Sequence, residues 1–425
     1  MGVKAVVTIP STLRHILSAR GLAEVVLKIL MISDVYFPRI NGVSTSIATF
    51  RRELEAMGHE VTLIAPAYPV TGVDEPRVIR VPSRYLWLDP EDRMMRRGPL
   101  MDIARRLSRE AFDLLHIQTP FVAHYAGARL ADLLGIPRVE SYHTFFEEYL
   151  FHYLPFLPRP MTRAAARVFS RRQCNNVDGV IVPSAAMMEV LRAYGVDTRE
   201  EIIPTGIELG DFHTGDGTAF RRRLGIAEDQ PALIHVGRIA FEKNVDFLVR
   251  VLHRVRRAMP EAILIIAGEG PALRHVRHLT HKLGLEANVR FVGYLDRRHE
   301  LLDCYQAGDA FVFASRTETQ GLVLLEAMAL GVPVLSTAVM GTRDIMASER
   351  GGIIAEEDET DFADKALRIL SDRELRRRLG REGRAYVREW SADAMASKLV
   401  GFYERVIAGH GLSGAATAHS PVKRG

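Results

Sequence analysis

Short apolar runs recur along this chain, and nearly every one is followed by a stretch of helical periodicity. KILMIS (28–33), VTLIAPA (61–67), RVIRVP (77–82), LLHIQT (114–119), RVESYHT (138–144) and GVIVPS (179–184) form a first series. ALIHVG (232–237), AILIIAGEG (262–270), VRFVGYL (289–295), AFVFAS (310–315), PVLSTA (333–338) and GGIIAE (351–356) form a second. None shows the strict alternation of a strand with one wet face, so these read as strands buried on both sides of parallel sheets. Between the first two runs, Val43, Ile47, Phe50, Leu54 and Met57 form one helical stripe, and Gly58 ends it by accepting a positive φ. IIPTGIE (202–208), rich in Pro and Gly, separates the two series. The expected architecture is α/β: two doubly wound, Rossmann-like domains facing each other across a cleft. Ligands of such sheets sit outside the carboxyl ends of the strands. The expected limits are an N-terminal extension over 1–27, domains over 28–205 and 206–390, a crossing helix over 391–410 and a disordered tail over 411–425.

Composition narrows the classes. At 425 residues the chain suits two to three domains, and 47% hydrophobic with 25% charged residues is a globular balance. Lys+Arg 56 against Asp+Glu 52 leaves +4, too little to mark a nucleic-acid binder. Two cysteines, Cys174 and Cys304, exclude a disulfide framework and a multi-cysteine metal site. No run of apolar residues is long enough to span a bilayer, and residues 1–27 lack the apolar core and cleavage site of a secretory signal. That segment reads as an extension from an upstream start codon; Leu13, Ile16 and Leu17 with Arg14, His15 and Arg20 also allow a short amphipathic helix. There is no repeat, no GxxxxGK[ST] and no HExxH, and AGEGP (267–271) reads as a tight turn, not a dinucleotide fingerprint.

Four loops at strand ends carry the chemistry. In SRTETQGLVLLEAM (315–328), Glu318 lies in the strand–helix turn and the helix begins near Gln320 and Gly321. Free N–H groups and the positive dipole end there suit a diphosphate. Glu326 sits beside the core-facing Leu322 and Leu325, where a carboxylate needs a partner, and a vicinal diol such as a ribose supplies two donors. Two carboxylates eight residues apart also occur as plain surface charge. In HVGRIAFEKN (235–244), Arg238 and Lys243 follow Gly237 and can neutralise a leaving diphosphate; the same residues read as a solvated loop capped at Asn244. In DVYFPRINGVS (34–44), Gly42 allows the backbone to approach a phosphate, or the loop is simply a capped turn. In SYHTFFEEY (141–149), His143 can bond a sugar hydroxyl, and Tyr142, Phe145, Phe146 and Tyr149 can form an apolar acceptor wall; a lone histidine at a strand end is more often structural.

Together these loops resemble those of the retaining glycosyltransferases of family 4, which have the GT-B fold, over about residues 28–410. The two glutamates separated by seven residues stand as Glu318 and Glu326, the glycine-arginine and following lysine as Gly237, Arg238 and Lys243, the glycine loop as Asn41-Gly42-Val43, and the histidine loop as His143-Thr144. The resemblance implies a metal-independent hexosyltransferase with no cofactor. A nucleotide-diphosphate sugar, UDP-glucose or GDP-mannose, is its co-substrate. Glu326 would hold the ribose. Glu318 would contact the sugar, with Gln320 and the amides of Gly321 and Leu322 near sugar and diphosphate. Arg238, Lys243 and Gly42 would bind the diphosphate, His143 would lie near the anomeric carbon, and Val292 and Tyr294 beside the base. His143 and Glu318 are the expected catalytic pair, the first domain faces the acceptor, and the second holds the donor.

TETQGL and SYHTFFEEYLFHYLP are similar to the diacylglycerol glucosyltransferases and related mannosyltransferases of bacteria; many other members have Phe where this chain has Gln320. Residues 159–172 hold five arginines and no acid, among them Arg163, Arg167, Arg171 and Arg172, and residues 93–109 hold six arginines and one acid. Such segments dock on an anionic leaflet or serve as solvated helix faces. The expected partner is a lipid acceptor, diacylglycerol, at the inner face of the cytoplasmic membrane, with no nucleic acid involved. Transfer to a soluble or polysaccharide acceptor, a nucleotide-sugar epimerase on the same fold, and an inactive nucleotide-sugar binding partner are the competing readings.

Overall fold

The apolar runs become strands because both of their faces are covered. In chain order they are β1 (Lys28–Ile32), β2 (Glu60–Pro66), β3 (Val78–Val81), β4 (Ser83–Leu86), β5 (Asp89–Met95), β6 (Leu114–Ile117), β7 (Arg138–Ser141), β8 (Gly179–Val182) and β9 (Glu200–Ile202). They continue as β10 (Ala232–Val236), β11 (Ile263–Ala267), β12 (Val289–Gly293), β13 (Ala310–Phe313), β14 (Val334–Ser336) and β15 (Gly352–Ile354). The computed structural model describes residues 26–39, 41–69, 75–86, 89–107, 109–143, 159–212, 215–296 and 299–417. Two compact units result: one holds the described residues up to Val182 with Val190–Ile203 and those from Ala396 onward, the other Pro183–Glu189 and Pro204–Met395.

The first unit contains a seven-stranded sheet in the order β3-β2-β1-β6-β7-β8-β9, with every pairing parallel. The second contains a six-stranded sheet, β12-β11-β10-β13-β14-β15, again all parallel. In the second, alternate residues of a strand enter different cores. Phe311 and Phe313 pack with Ile234, Leu324 and Leu325 on one face, while Ala310 and Val312 pack with Leu248, Leu252 and Leu335 on the other. The expected pair of doubly wound domains is therefore present, and wet-face alternation is absent for this reason.

Three features differ from the sequence reading. The segment 93–109 is not one amphipathic element: β5 pairs antiparallel with β4, and a separate helix, Arg97–Leu107, follows. Arg93 is withdrawn from the basic surface, since its guanidinium is buried 4.0 Å over the Tyr85 ring. The last helix, Ala392–Thr417, runs beyond Gly411, where the tail was expected to begin.

Each sheet has one place where the strand order reverses: β1 beside β6, and β10 beside β13. Neighbouring loops leave for opposite faces there and open a crevice at the carboxyl ends. The loops 34–44 and 315–321 and the turn after Gly237 all start from those strands.

Candidate functional site

β10 ends at Val236, and Gly237 turns the chain away, its N–H on Ala267 O at 3.0 Å. Arg238 follows, exposed and without an ion pair among the described residues. A short 3-10 turn, Phe241–Lys243, then carries Lys243 back, and Asn244 ends it in the left-handed conformation at φ 57°. Across the reversal, β13 leads into the turn that holds Glu318. Lys243 Nζ donates to Glu318 Oε2 at 2.5 Å, joining two of the expected site residues across 75 positions of sequence. Backbone ties fix the approach, Arg316 N–H to Glu242 O at 3.0 Å and Gly341 N–H to Glu318 O at 2.8 Å.

The helix Leu322–Ala329 starts at Gly321, whose φ of 97° is the left-handed region that a side chain resists. A Cβ there would lie 2.6 Å from Thr342 Cγ2, so glycine is required for space as well as conformation. Leu322 is partly buried on the core, and Leu325 is wholly buried. Glu326 is 4% exposed, and the Tyr305 hydroxyl donates to its Oε2 at 2.8 Å. The carboxylate that the sequence left in need of a partner thus has one in the protein, worth about 1.5–3 kcal/mol for a bond to a charged group. Gln320 is buried as well, and its carboxamide is bonded to the backbone of Thr205. On the outer strand β12 Val292 is partly buried, and Tyr294, just past the strand's end, is 69% exposed.

His235, one position before the end of β10, is buried beside Phe311 and Phe313, with ring centroids 6.5 and 5.8 Å away. Burial lowers its pKa to about 4, so the ring is neutral, and Nδ1 lies 3.2 Å from Val312 O.

In the first unit the reversal between β1 and β6 places Asp34 over the start of the helix Val122–Leu134. Its carboxyl accepts the Ala123 N–H at 3.1 Å and the Thr119 hydroxyl at 2.9 Å. Burial raises its pKa to about 7 against those bonds, which lower it. Gly42 opens the helix Gly42–Ala56 behind an Asn41 cap that accepts from Ser44 N–H at 2.8 Å. No atom lies within 4 Å of a Cβ built on Gly42, so packing does not demand glycine there. His143 stands 3.3 Å from Gln118 Oε1, and burial lowers its pKa to about 4. Tyr142 is not an exposed member of an acceptor wall: it is buried, its hydroxyl 2.8 Å from Ser170 Oγ. Phe145, Phe146 and Tyr149 lie outside the described residues.

The helix Arg159–Cys174 presents a sharp division. Thr162, Ala166, Ser170, Gln173 and Cys174 are buried, while Arg163, Arg167, Arg171 and Arg172 are exposed with Met161 and Val168. Small residues at i, i+4 and i+8 let the helix sit close, and Gln173 Nε2 donates to Pro120 O. Arg167 lies 5.6 Å over the Tyr194 ring.

Sequence reasoning missed Tyr305, Thr205 and Asp34. Tyr305 sits in ELLDCYQ (300–306), where it reads as an ordinary core aromatic, and Thr205 only as part of a linker. Their partners lie 21 and 115 residues away, and no local pattern encodes such contacts.

Among the described residues no group of three or more His, Cys, Asp or Glu could hold a metal ion, and no helix is long and apolar enough to cross a membrane. Residues 40–211 match the family described as Glycosyltransferase Family 4, and residues 216–386 that described as Glycosyl transferases group 1. An alpha-monoglucosyldiacylglycerol synthase of Streptococcus pneumoniae is 33% identical over 321 residues, covering 73% of this chain and 71% of that protein. A GDP-mannose-dependent alpha-mannosyltransferase of Mycobacterium tuberculosis is 28% identical over 391 residues, covering 89% of this chain and 97% of that one. Among solved structures, sucrose-phosphate synthase from Thermosynechococcus elongatus matches with a TM-score of 0.71 at 24% identity, covering 90% of this chain and 100% of that one. An Anabaena protein solved with UDP and glucose matches at 0.70 and 16% identity, covering 89% of this chain and 100% of that one.

Proposed function

The chain belongs to the glycosyltransferases of family 4, and on that premise we propose that it moves a hexosyl group, with retention, from a nucleotide-diphosphate sugar to diacylglycerol or a related membrane lipid. The observation that carries the donor half is the junction at the β10/β13 reversal. There Lys243, Glu318 and the start of the helix Leu322–Ala329 converge, with exposed Arg238 on the turn after β10. Cations and unsatisfied N–H groups are what a leaving diphosphate requires, and they act without a metal. The acceptor half leans on the diacylglycerol-modifying relative and on the basic exposed face of the helix Arg159–Cys174.

In this reading the bond from the anomeric carbon to the diphosphate oxygen breaks on the face where the acceptor hydroxyl attacks. The acceptor proton passes to the departing diphosphate, whose growing charge Arg238 and Lys243 neutralise. Glu326 holds the ribose with its second-row partner Tyr305, Glu318 contacts the sugar hydroxyls, and His143 offers a neutral imidazole to the sugar. Val292 and Tyr294 flank the base. Arginines of the helix Arg159–Cys174 hold the protein on an anionic leaflet at about 1 kcal/mol each, and the leaflet in this reading is the inner face of the cytoplasmic membrane.

The test is a donor panel. UDP-glucose and GDP-mannose are supplied with and without dioleoylglycerol in anionic vesicles, and anomeric configuration of the product is read by NMR. Lipid-dependent transfer with retained configuration is expected. Transfer to soluble sugars alone would remove the lipid acceptor, and interconversion of the free nucleotide sugar would favour an epimerase.

A further inference from the structure

Gln320 lies in the candidate donor turn, yet its carboxamide is engaged by the backbone of the linker. Its Oε1 accepts from Thr205 N–H at 2.9 Å, and its Nε2 donates to Thr205 O at 2.6 Å. The pair of bonds copies one rung of a β-ladder between positions 115 apart. Thr205 is 8% exposed and Gln320 7%, so water is poorly placed to replace either bond. Thr205 is also the second residue of the second unit after the chain leaves the first at Ile203.

The same turn is braced on another side. Gly341 donates to Glu318 O, and a Cβ at Gly341 would lie 2.0 Å from Thr319 O, so only glycine fits. The helix Thr342–Met346 that follows carries Asp344, whose Oδ2 accepts from Ala185 N–H at 2.6 Å. Ala185 lies just beyond Val182, the other point at which the chain passes from the first unit into the second. The turn bearing Glu318 is thus built on both of these entry segments.

We infer that Gln320 is a positioning residue: its pairing with Thr205 sets the Glu318–Gly321 turn, and with it the Glu318 carboxylate and the N–H groups at the helix start. The inference rests on the glycosyl-transfer reading above. Chemistry supplies a discriminating variant. A protonated carboxylic acid at 320 accepts from Thr205 N–H and donates to Thr205 O, as the amide does, whereas an ionised one sets an oxygen against the carbonyl. The charged groups on the surrounding elements are Glu318 with Lys243, Arg316 with Glu357, Glu326 under Tyr305, Asp344, Arg343 with Glu189, and Glu208 beyond Thr205; wild type and variants share them all, so the ratio of variant to wild type isolates position 320.

The experiment compares wild type, Gln320→Glu and Gln320→Leu as full chains. UDP-glucose and GDP-mannose are supplied with vesicles of dioleoylglycerol and phosphatidylglycerol, and thermal midpoints are measured in parallel. Gln320→Leu is expected to lower kcat about tenfold or more while donor KM changes less. The kcat of Gln320→Glu relative to wild type is expected to rise about tenfold as pH falls from about 8 to about 5.5. A lowered thermal midpoint with wild-type kcat and a flat Gln320→Glu ratio overturns the inference, leaving the pair as packing alone. If Gln320→Leu does not fold, the Gln320→Glu ratio decides by itself. If wild type turns over neither donor, the glycosyl-transfer reading falls. Positioning is then judged by calorimetric UDP and GDP affinity, where the same pH-dependent ratio sustains it and absence of binding to wild type overturns both.

Discussion

In the second unit three of the four charged groups of the candidate site have a named partner, Lys243 on Glu318 and Glu326 under Tyr305, and the helix start is fixed by Gly321, while Arg238 stands exposed. In the first unit the arginines of the helix Arg159–Cys174 share a face with Met161 and Val168, and what is fixed is the opposite stripe of Thr162, Ala166, Ser170 and Gln173. One surface is defined by atoms and the other by sign and area. Single-atom changes should therefore damage the first kind of site, and ionic strength the second.

The largest effect expected is from Glu326→Ala, which removes the carboxylate proposed to hold the ribose, the group to which the Tyr305 hydroxyl donates. UDP or GDP affinity should fall about 100-fold by calorimetry, and Tyr305→Phe should lose a smaller part of it. Equal affinity in Glu326→Ala would mean that the donor site is not defined by single atoms. Next, Arg171→Ala with Arg172→Ala should weaken co-sedimentation with anionic vesicles about 30-fold at low salt, roughly 2 kcal/mol, and leave nucleotide affinity unchanged. That loss should shrink in high salt, and a salt-independent loss would count against docking by charge. Arg238→Ala should lower kcat/KM about tenfold without moving the thermal midpoint, because among the described residues its side chain has no ion pair to lose.

The last effect is on stability alone and is read through pH. Asp34 is raised to about 7 by burial, so between pH 3.8 and about 7 the unfolded chain ionises while the native carboxyl stays protonated. Its contribution to stability is present at acid pH and is lost as pH rises through that window. Buried His116, on β6 of the same unit, and His235, on β10 of the second, lowered to about 3 and about 4 by burial, act in the opposite sense and remove stability as pH falls below 6.5. Asp34→Asn should therefore gain in thermal midpoint relative to wild type as pH climbs from about 4 to about 7. A constant difference would show that Asp34 is ionised throughout.

The parallel sheets were legible because a strand covered on both faces must be apolar at successive positions, as Leu30 and Met31 or Ile265 and Ile266 are. The β4/β5 hairpin was not, since Arg93 looks like a surface cation until Tyr85 is found under it. At the site, Glu318, Glu326, Arg238 and Lys243 could be named from strand–turn–helix context. Their partners could not, because Tyr305 and Thr205 carry no local mark of what they touch.

The element pattern, the twin α/β organisation and the residue types gathered at strand ends could all be read from residue order alone. These follow from local periodicity and from the solvation cost of each side chain. That β10 and β13 adjoin where the strand order reverses, that Lys243 meets Glu318, and that Gln320 binds the linker at Thr205 emerges only in the folded chain. Those are contacts across 75 and 115 residues, fixed when two covered sheet faces close over their cores.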